Sequence, residues 1–170
     1  MIARMESPGP KLELAQIGDA PLIAAMSCQL VESGLAPSWP AERVARHIRH
    51  AESVVLAAKH TGRLAGFAIM QFGDSTAHLN LLAVDPSSQR HGLGRALVHW
   101  LEESALVAGT FVIQLELRAS NCGALAFYLR LGYRETGRVS GYYQRVEDAI
   151  QMSRDVRVPG GHAHPRVSGA

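Results

Sequence analysis

The densest chemistry in the chain lies between Leu81 and Tyr128. A strand-like run containing Leu82, Ala83 and Val84 leads through Gln89-Arg90-His91-Gly92-Leu93-Gly94-Arg95 into an amphipathic stretch. Glycines at a helix start leave backbone N–H groups open to an anion, because no Cβ blocks the approach. Arg90 and Arg95 add positive charge beside them, so the turn suits a pyrophosphate-bearing cofactor. Further on, Glu116 stands in an otherwise apolar strand, Asn121 follows that strand, and Tyr128 lies on the next helical segment. A carboxylate can take a proton from an ammonium, and a phenol can give one to a leaving group. If Glu116 faces inward, burial raises its pKa towards that of a useful base. The competing expectation is an ion pair with Arg118 or another arginine. For Tyr128 it is a core aromatic with a satisfied hydroxyl.

Other chemistries are weaker or excluded. The turn has no Gly-Lys-Ser/Thr, so it is not a P-loop, and it lacks a third glycine at dinucleotide spacing. His78 and Asn80 alternate on the strand before Leu82; His78 would titrate near neutrality, but its position reads as an edge or surface histidine. Cys122 follows Asn121 and is expected to be a small packing residue. Cys28 and Cys122 form no CxxC pair. His47-x-x-His50 has no further ligand in reach, so a solvated helix face is expected and no metal.

The elements that must position these groups follow from periodicity. A short strand runs through Leu12 and Leu14, and Asp19 could cap a helix through Leu30. Pro40 opens a second helix. Strands follow at 53–59, 64–72 and 77–84, with Thr61-Gly62-Arg63 and Gly73-Asp74-Ser75 as turns. Apolar residues at 93, 96, 97, 100, 101 and 105 make one helical stripe ended by Gly109. A central strand at 111–117, a helix closed by Gly132 and two strands at 133–138 and 149–153, joined around Gly141-Tyr142-Tyr143, complete the order. This predicts an α+β, or mixed α/β, fold. One domain is expected over 11–156, with a flexible arm at 1–10 and a flexible tail at 157–170.

Composition agrees with a globular domain: 47% hydrophobic and 19% charged residues in 170. A net charge of +2 is too small to imply nucleic acid as a partner. The N-terminus carries no apolar run like that of a signal peptide, and no stretch reaches membrane-spanning length. A cytoplasmic protein, monomer or homodimer, is expected.

The run Gln89-Arg90-His91-Gly92-Leu93-Gly94, after Leu82-Ala83-Val84-Asp85-Pro86, resembles the signature of the GNAT superfamily of acyl-CoA N-acyltransferases. Leu115-Glu116-Leu117-Arg118-Ala119-Ser120-Asn121, Ala126-Phe127-Tyr128, Leu131-Gly132-Tyr133, Tyr142-Tyr143 and Glu147-Asp148-Ala149 are similar to the RimI-type N-terminal acetyltransferases within it. The resemblance implies a mostly antiparallel mixed sheet of about seven strands with about four helices. It implies acetyl-CoA as acyl donor, without a metal, held by residues 82–84 and 89–95, Asn121 and Tyr128. It implies Glu116 as general base, Tyr128 as general acid and a backbone N–H near Val84 that polarises the thioester carbonyl. The implied acceptor is a protein or peptide N-terminal α-amine, with Trp39, Tyr142 and Tyr143 as candidate acceptor contacts. Ser38-Trp39-Pro40 and Gly141 depart from the RimI pattern, so a lysine side chain or a small-molecule amine is the alternative. A non-catalytic acyl-CoA-binding module is a third reading, against which the presence of both Glu116 and Tyr128 counts.

Overall fold

The computed structural model describes residues 9–159. The expected arm and tail therefore fall largely outside the described residues. The elements are β1 (Lys11–Leu14), a 3-10 turn (Ile17–Asp19), α1 (Ala20–Leu30), α2 (Ala41–Arg49), β2 (Ser53–His60), β3 (Arg63–Phe72) and β4 (Thr76–Val84). After a second 3-10 turn (Pro86–Ser88) come α3 (Leu93–Ala108), β5 (Val112–Arg118), α4 (Cys122–Arg130), β6 (Arg134–Tyr143) and β7 (Glu147–Asp155).

All seven strands form one sheet in the order β1-β2-β3-β4-β5-β7-β6. β1 to β4 make an antiparallel meander. α3 then carries the chain across to β5, which lies parallel to β4. β7 inserts antiparallel between β5 and β6. The seven-stranded mixed sheet with four helices matches the expected fold class.

The two faces of the sheet have separate cores. On one, the α3 stripe Leu93, Leu97, Val98, Leu101 and Ala105 packs with Leu79, Ile113, Leu115, Leu117 and Tyr128. On the other, Ile23 of α1 and Val44 of α2 pack on Val55, Phe67, Ile69, Leu81 and Ala83. β4 changes face midway. Met70 pairs with Leu79 and Ile69 with Leu81, so Asn80 is an extra residue opposite one step of β3. Ala77 and Leu79 therefore face α3 while Leu81 and Ala83 face α1 and α2.

Several expectations need correction. Asp19 does not cap α1 through its side chain; the carboxylate accepts from the Gln16 N–H at 2.8 Å and pairs with Lys59 at 2.8 Å. β6 is longer than its apolar pattern suggested, so Tyr142 and Tyr143 are strand residues and the connection is 144–146. Cys122 is exposed and packs into neither core. His47 is half-buried: its ring lies 5.0 Å from that of Trp39, and Nδ1 lies 2.8 Å from Ser53 Oγ. Among the described residues no cluster of His, Cys, Asp or Glu could hold a metal, and no helix is long and apolar enough to cross a membrane.

Candidate active site

The site grows from a failure of pairing. β4 and β5 are hydrogen-bonded only from Thr76↔Val112 to His78↔Gln114, and beyond that they diverge. A cleft of about 520 Å³ fills the gap. Its walls include Leu79 to Leu82 of β4, Leu115 to Arg118 of β5, and Asn121, Ala124 and Tyr128. The Asp85 N–H donates to Ala65 O on the β3 side. Alternation along an extended strand then turns the amides of Leu82 and Val84 towards the gap. Ala83 sends its side chain into the α1/α2 core.

The glycine turn stands at the open end of β4. Asp85 Oδ2 accepts from the Ser87 N–H at 3.0 Å, and Gln89 Nε2 donates to Val84 O at 2.9 Å. Arg90 and Gly92 both have positive φ, +66° and +81°, so the chain curls around His91 before α3 begins. At Gly92 a side chain would strain that backbone. Leu93 is buried and anchors the turn. At Gly94, a Cβ would lie 3.4 Å from the Phe127 ring, leaving the first turn of α3 close against α4. The first N–H groups of this 16-residue helix carry the partial positive charge of its N-terminus. Arg95 lies in its first turn, and Asn121 caps α4 by accepting from the Ala124 N–H at 3.0 Å.

Glu116 and Tyr128 meet the gap from opposite faces. Ile113, Leu115 and Leu117 point to the α3 core, so Glu116 points the other way. Tyr128 belongs to the α3 core, is 7% exposed, and packs edge-on against Phe127 and Tyr133. Burial pushes its phenol pKa up, so the proton stays on at neutral pH.

His78 is not at an edge. It lies on the fourth strand of seven, with Nε2 2.5 Å from Glu116 Oε2 and Nδ1 2.6 Å from Asn80 Oδ1. Gln151, opposite Glu116 on β7, donates to its other oxygen at 3.4 Å. The pKa of Glu116 is therefore lowered, chiefly by the hydrogen bond from His78 against the opposing effect of burial. The expected rise is corrected: a partner 38 positions away in sequence outweighs desolvation. His78 is raised in turn, first by that bond to Glu116. Arg118 does not pair with Glu116. Its Nε donates to Glu147 at 2.6 Å and its Nη1 to Ser33 O at 2.6 Å.

A second cleft, about 370 Å³, opens on the α1/α2 face and shares Glu116, Asn80, Leu81 and Tyr143 with the first. Trp39 and Arg43 form one side, Tyr142 and Tyr143 another. The loop between α1 and α2 is tied across it to the β6–β7 turn: Ala36 N–H donates to Gln144 Oε1 at 2.9 Å, and Gln144 Nε2 donates to Ala36 O at 2.7 Å. Sequence reasoning missed Gln144, Gln151, Glu32 and Arg43. Only Gln151 left a trace, as a polar residue in the apolar run of β7.

The comparisons agree with this geometry. The family model described as Acetyltransferase (GNAT) family matches residues 24–133. The ribosomal protein bS18-alanine N-acetyltransferase of Escherichia coli is 43% identical over 95 residues, 54% of this chain and 64% of that protein, so the match spans just under two thirds of the relative's length. N-alpha-acetyltransferase RimI of Mycobacterium tuberculosis is 32% identical over 123 residues, 69% of this chain and 75% of that one. The crystal structure of a ribosomal-protein alanine N-acetyltransferase from Escherichia coli superposes with a TM-score of 0.74 at 30% identity, covering 91% of this chain and 99% of that one. With the splayed β4 and β5, the glycine turn opening α3 and a family match over more than half its length, the chain belongs to the GNAT acetyltransferase family.

Proposed function

We propose that the protein moves an acetyl group from acetyl-CoA to a primary amine by direct attack, and that the amine is the N-terminal α-amine of a protein or peptide. One observation carries this reading: two clefts, one running through the gap between β4 and β5 and one on the α1/α2 face, meet at Glu116. The first fits a pantetheine arm, because Leu82 and Val84 offer it unpaired amides as a neighbouring strand would. The glycine turn fits the pyrophosphate: Gly92 curls the chain with a positive φ just before α3, and the helix start supplies N–H groups. Acetyl-CoA brings an activated thioester to the gap. The relatives, named as an alanine N-acetyltransferase and an N-alpha-acetyltransferase, support the choice of amine.

In this mechanism the acceptor enters as an ammonium and must lose a proton. With Asn80 presenting its oxygen to His78 Nδ1–H, the His78 Nε2 to Glu116 contact holds one further proton. That pair titrates as a unit, and after losing its proton it can accept one from the ammonium. An N–H in the Leu82–Val84 stretch steadies charge on the carbonyl oxygen, and Tyr128, protonated, gives its proton to the departing thiolate.

The test pairs Glu116→Gln and Tyr128→Phe with acetyl-CoA binding measured separately from turnover. Binding is expected to persist while turnover falls by about 10²-fold or more. Undiminished turnover in both variants overturns the roles. A peptide library with mass-spectrometric location of the acetyl group tests the acceptor; acetyl groups only on lysine side chains or small amines overturn the α-amine reading.

A further inference from the structure

We infer that Arg43 reads a carboxylate on the acceptor, so that the protein favours N-termini with an acidic side chain at the second or third position. The inference rests on the N-terminal reading above.

Arg43 lines the second cleft opposite Tyr142 and Tyr143. Its guanidinium lies over the Trp39 ring, 3.9 Å from the centroid, and Nη1 donates to Ser38 O at 3.1 Å. Ser38 is itself held. Its N–H and Oγ both reach Glu32 Oε1 at 2.5 Å, and Glu32 is 6% exposed with Ser27 Oγ near its other oxygen. A buried carboxylate thus fixes a loop, and that loop and an indole fix the guanidinium. Among the described residues Arg43 has no carboxylate partner; its hydrogen bond there goes to a neutral carbonyl. Five N–H donors in a planar fork suit a bidentate carboxylate, and one bond to Ser38 leaves most of them free.

The other charges along this cleft are accounted for. Glu32 is taken up by the two serines, and His78 and Glu116 hold each other at the junction with the first cleft. The cleft therefore presents Glu116 for an ammonium and Arg43 for an anion. An extended chain rises about 3.3–3.6 Å per residue, so an acidic side chain near the start of a peptide can lie at Arg43 while the α-amine lies at Glu116. A basic side chain there would face like charge.

The experiment compares kcat/KM for peptides that differ only in Glu, Gln or Lys at position two or three, with the native protein, Arg43→Gln and Arg43→Glu. Because each value is a ratio within one variant, a general loss of activity cancels. The native protein is expected to prefer Glu over Gln by about fivefold, the scale of a partly exposed ion pair. Arg43→Gln brings the ratio near one, and Arg43→Glu reverses it towards Lys. Added salt should shrink the native preference. A native protein indifferent to Glu and Gln, or a preference that survives Arg43→Gln, overturns the inference while leaving α-amine acetylation intact. Turnover with small amines but with none of the peptides overturns both.

Discussion

The two clefts that meet at Glu116 are built in different ways. The donor side is made of backbone and buried apolar packing: the α3 stripe, Tyr128 and Tyr133 behind the gap, and a glycine turn at its mouth. The acceptor side is made of polar side chains that tie its loops together, Gln144 to Ala36 and Glu32 to Ser38. Packing tolerates little change in volume. Polar ties at a surface are individually weak and can be exchanged. The donor side should therefore be the rigid, shared half of the machine, and the acceptor side the adjustable half.

The comparison breaks first in stability. Leu97 is fully buried under the sheet, so Leu97→Ala should cost about 2–5 kcal/mol, measured by denaturant unfolding; a loss under 1 kcal/mol would mean that the donor wall is not the rigid half. Next is Gly94→Val, which drives a branched side chain towards Phe127. Overpacking of about 1–3 kcal/mol should weaken acetyl-CoA binding by roughly tenfold or more, read by calorimetry. Gln144→Ala removes two partly solvated hydrogen bonds. It should raise the peptide KM several-fold, on the scale of about 1 kcal/mol per lost bond, and leave acetyl-CoA affinity unchanged. Equal effects on both ligands would erase the distinction between the halves.

The smallest effect lies on pH. His78 has a raised pKa, so its contribution to stability is fully present below the unfolded value and is lost as pH rises through the folded one. In the proposed mechanism catalysis runs the other way, because there the His78–Glu116 pair sheds its proton to act as base. Between neutrality and mildly alkaline pH, kcat/KM should rise while the melting temperature falls slightly. His78→Asn should flatten both trends, and a native rate independent of pH over that window would remove the pair from proton transfer.

The donor half was legible in the sequence because its signals are local. Glycines in the turn, apolar spacing in α3 and the order Glu116, Asn121, Tyr128 each fit within one or two elements. The resemblance to a known family rests on the same residues. What could not be read depends on register between strands far apart in sequence. His78 looked peripheral because nothing near it shows that β4 pairs with β5 just there. Glu116 was expected to have a raised pKa because burial can be anticipated from an apolar strand, whereas a histidine 38 residues earlier cannot. Gln144 and Ala36 are 108 residues apart and carry no pattern that links them. Tyr142 and Tyr143 were assigned to a loop because β6, an edge strand, is exposed along much of its length and lacks apolar alternation.

The extra residue at Asn80 makes β4 two short strands joined out of phase. The segment before it gives its apolar side chains to one core and the segment after it to the other. Deleting Asn80 would make Leu79 and Leu81 direct neighbours and leave each on the face it now takes, whereas ironing out the bulge with Asn80 kept would turn His78 towards α3, away from Glu116. The conformation of one residue, and not the number of residues, thus sets the parity of the strand. It keeps His78 beside Glu116 without altering the glycine turn at all.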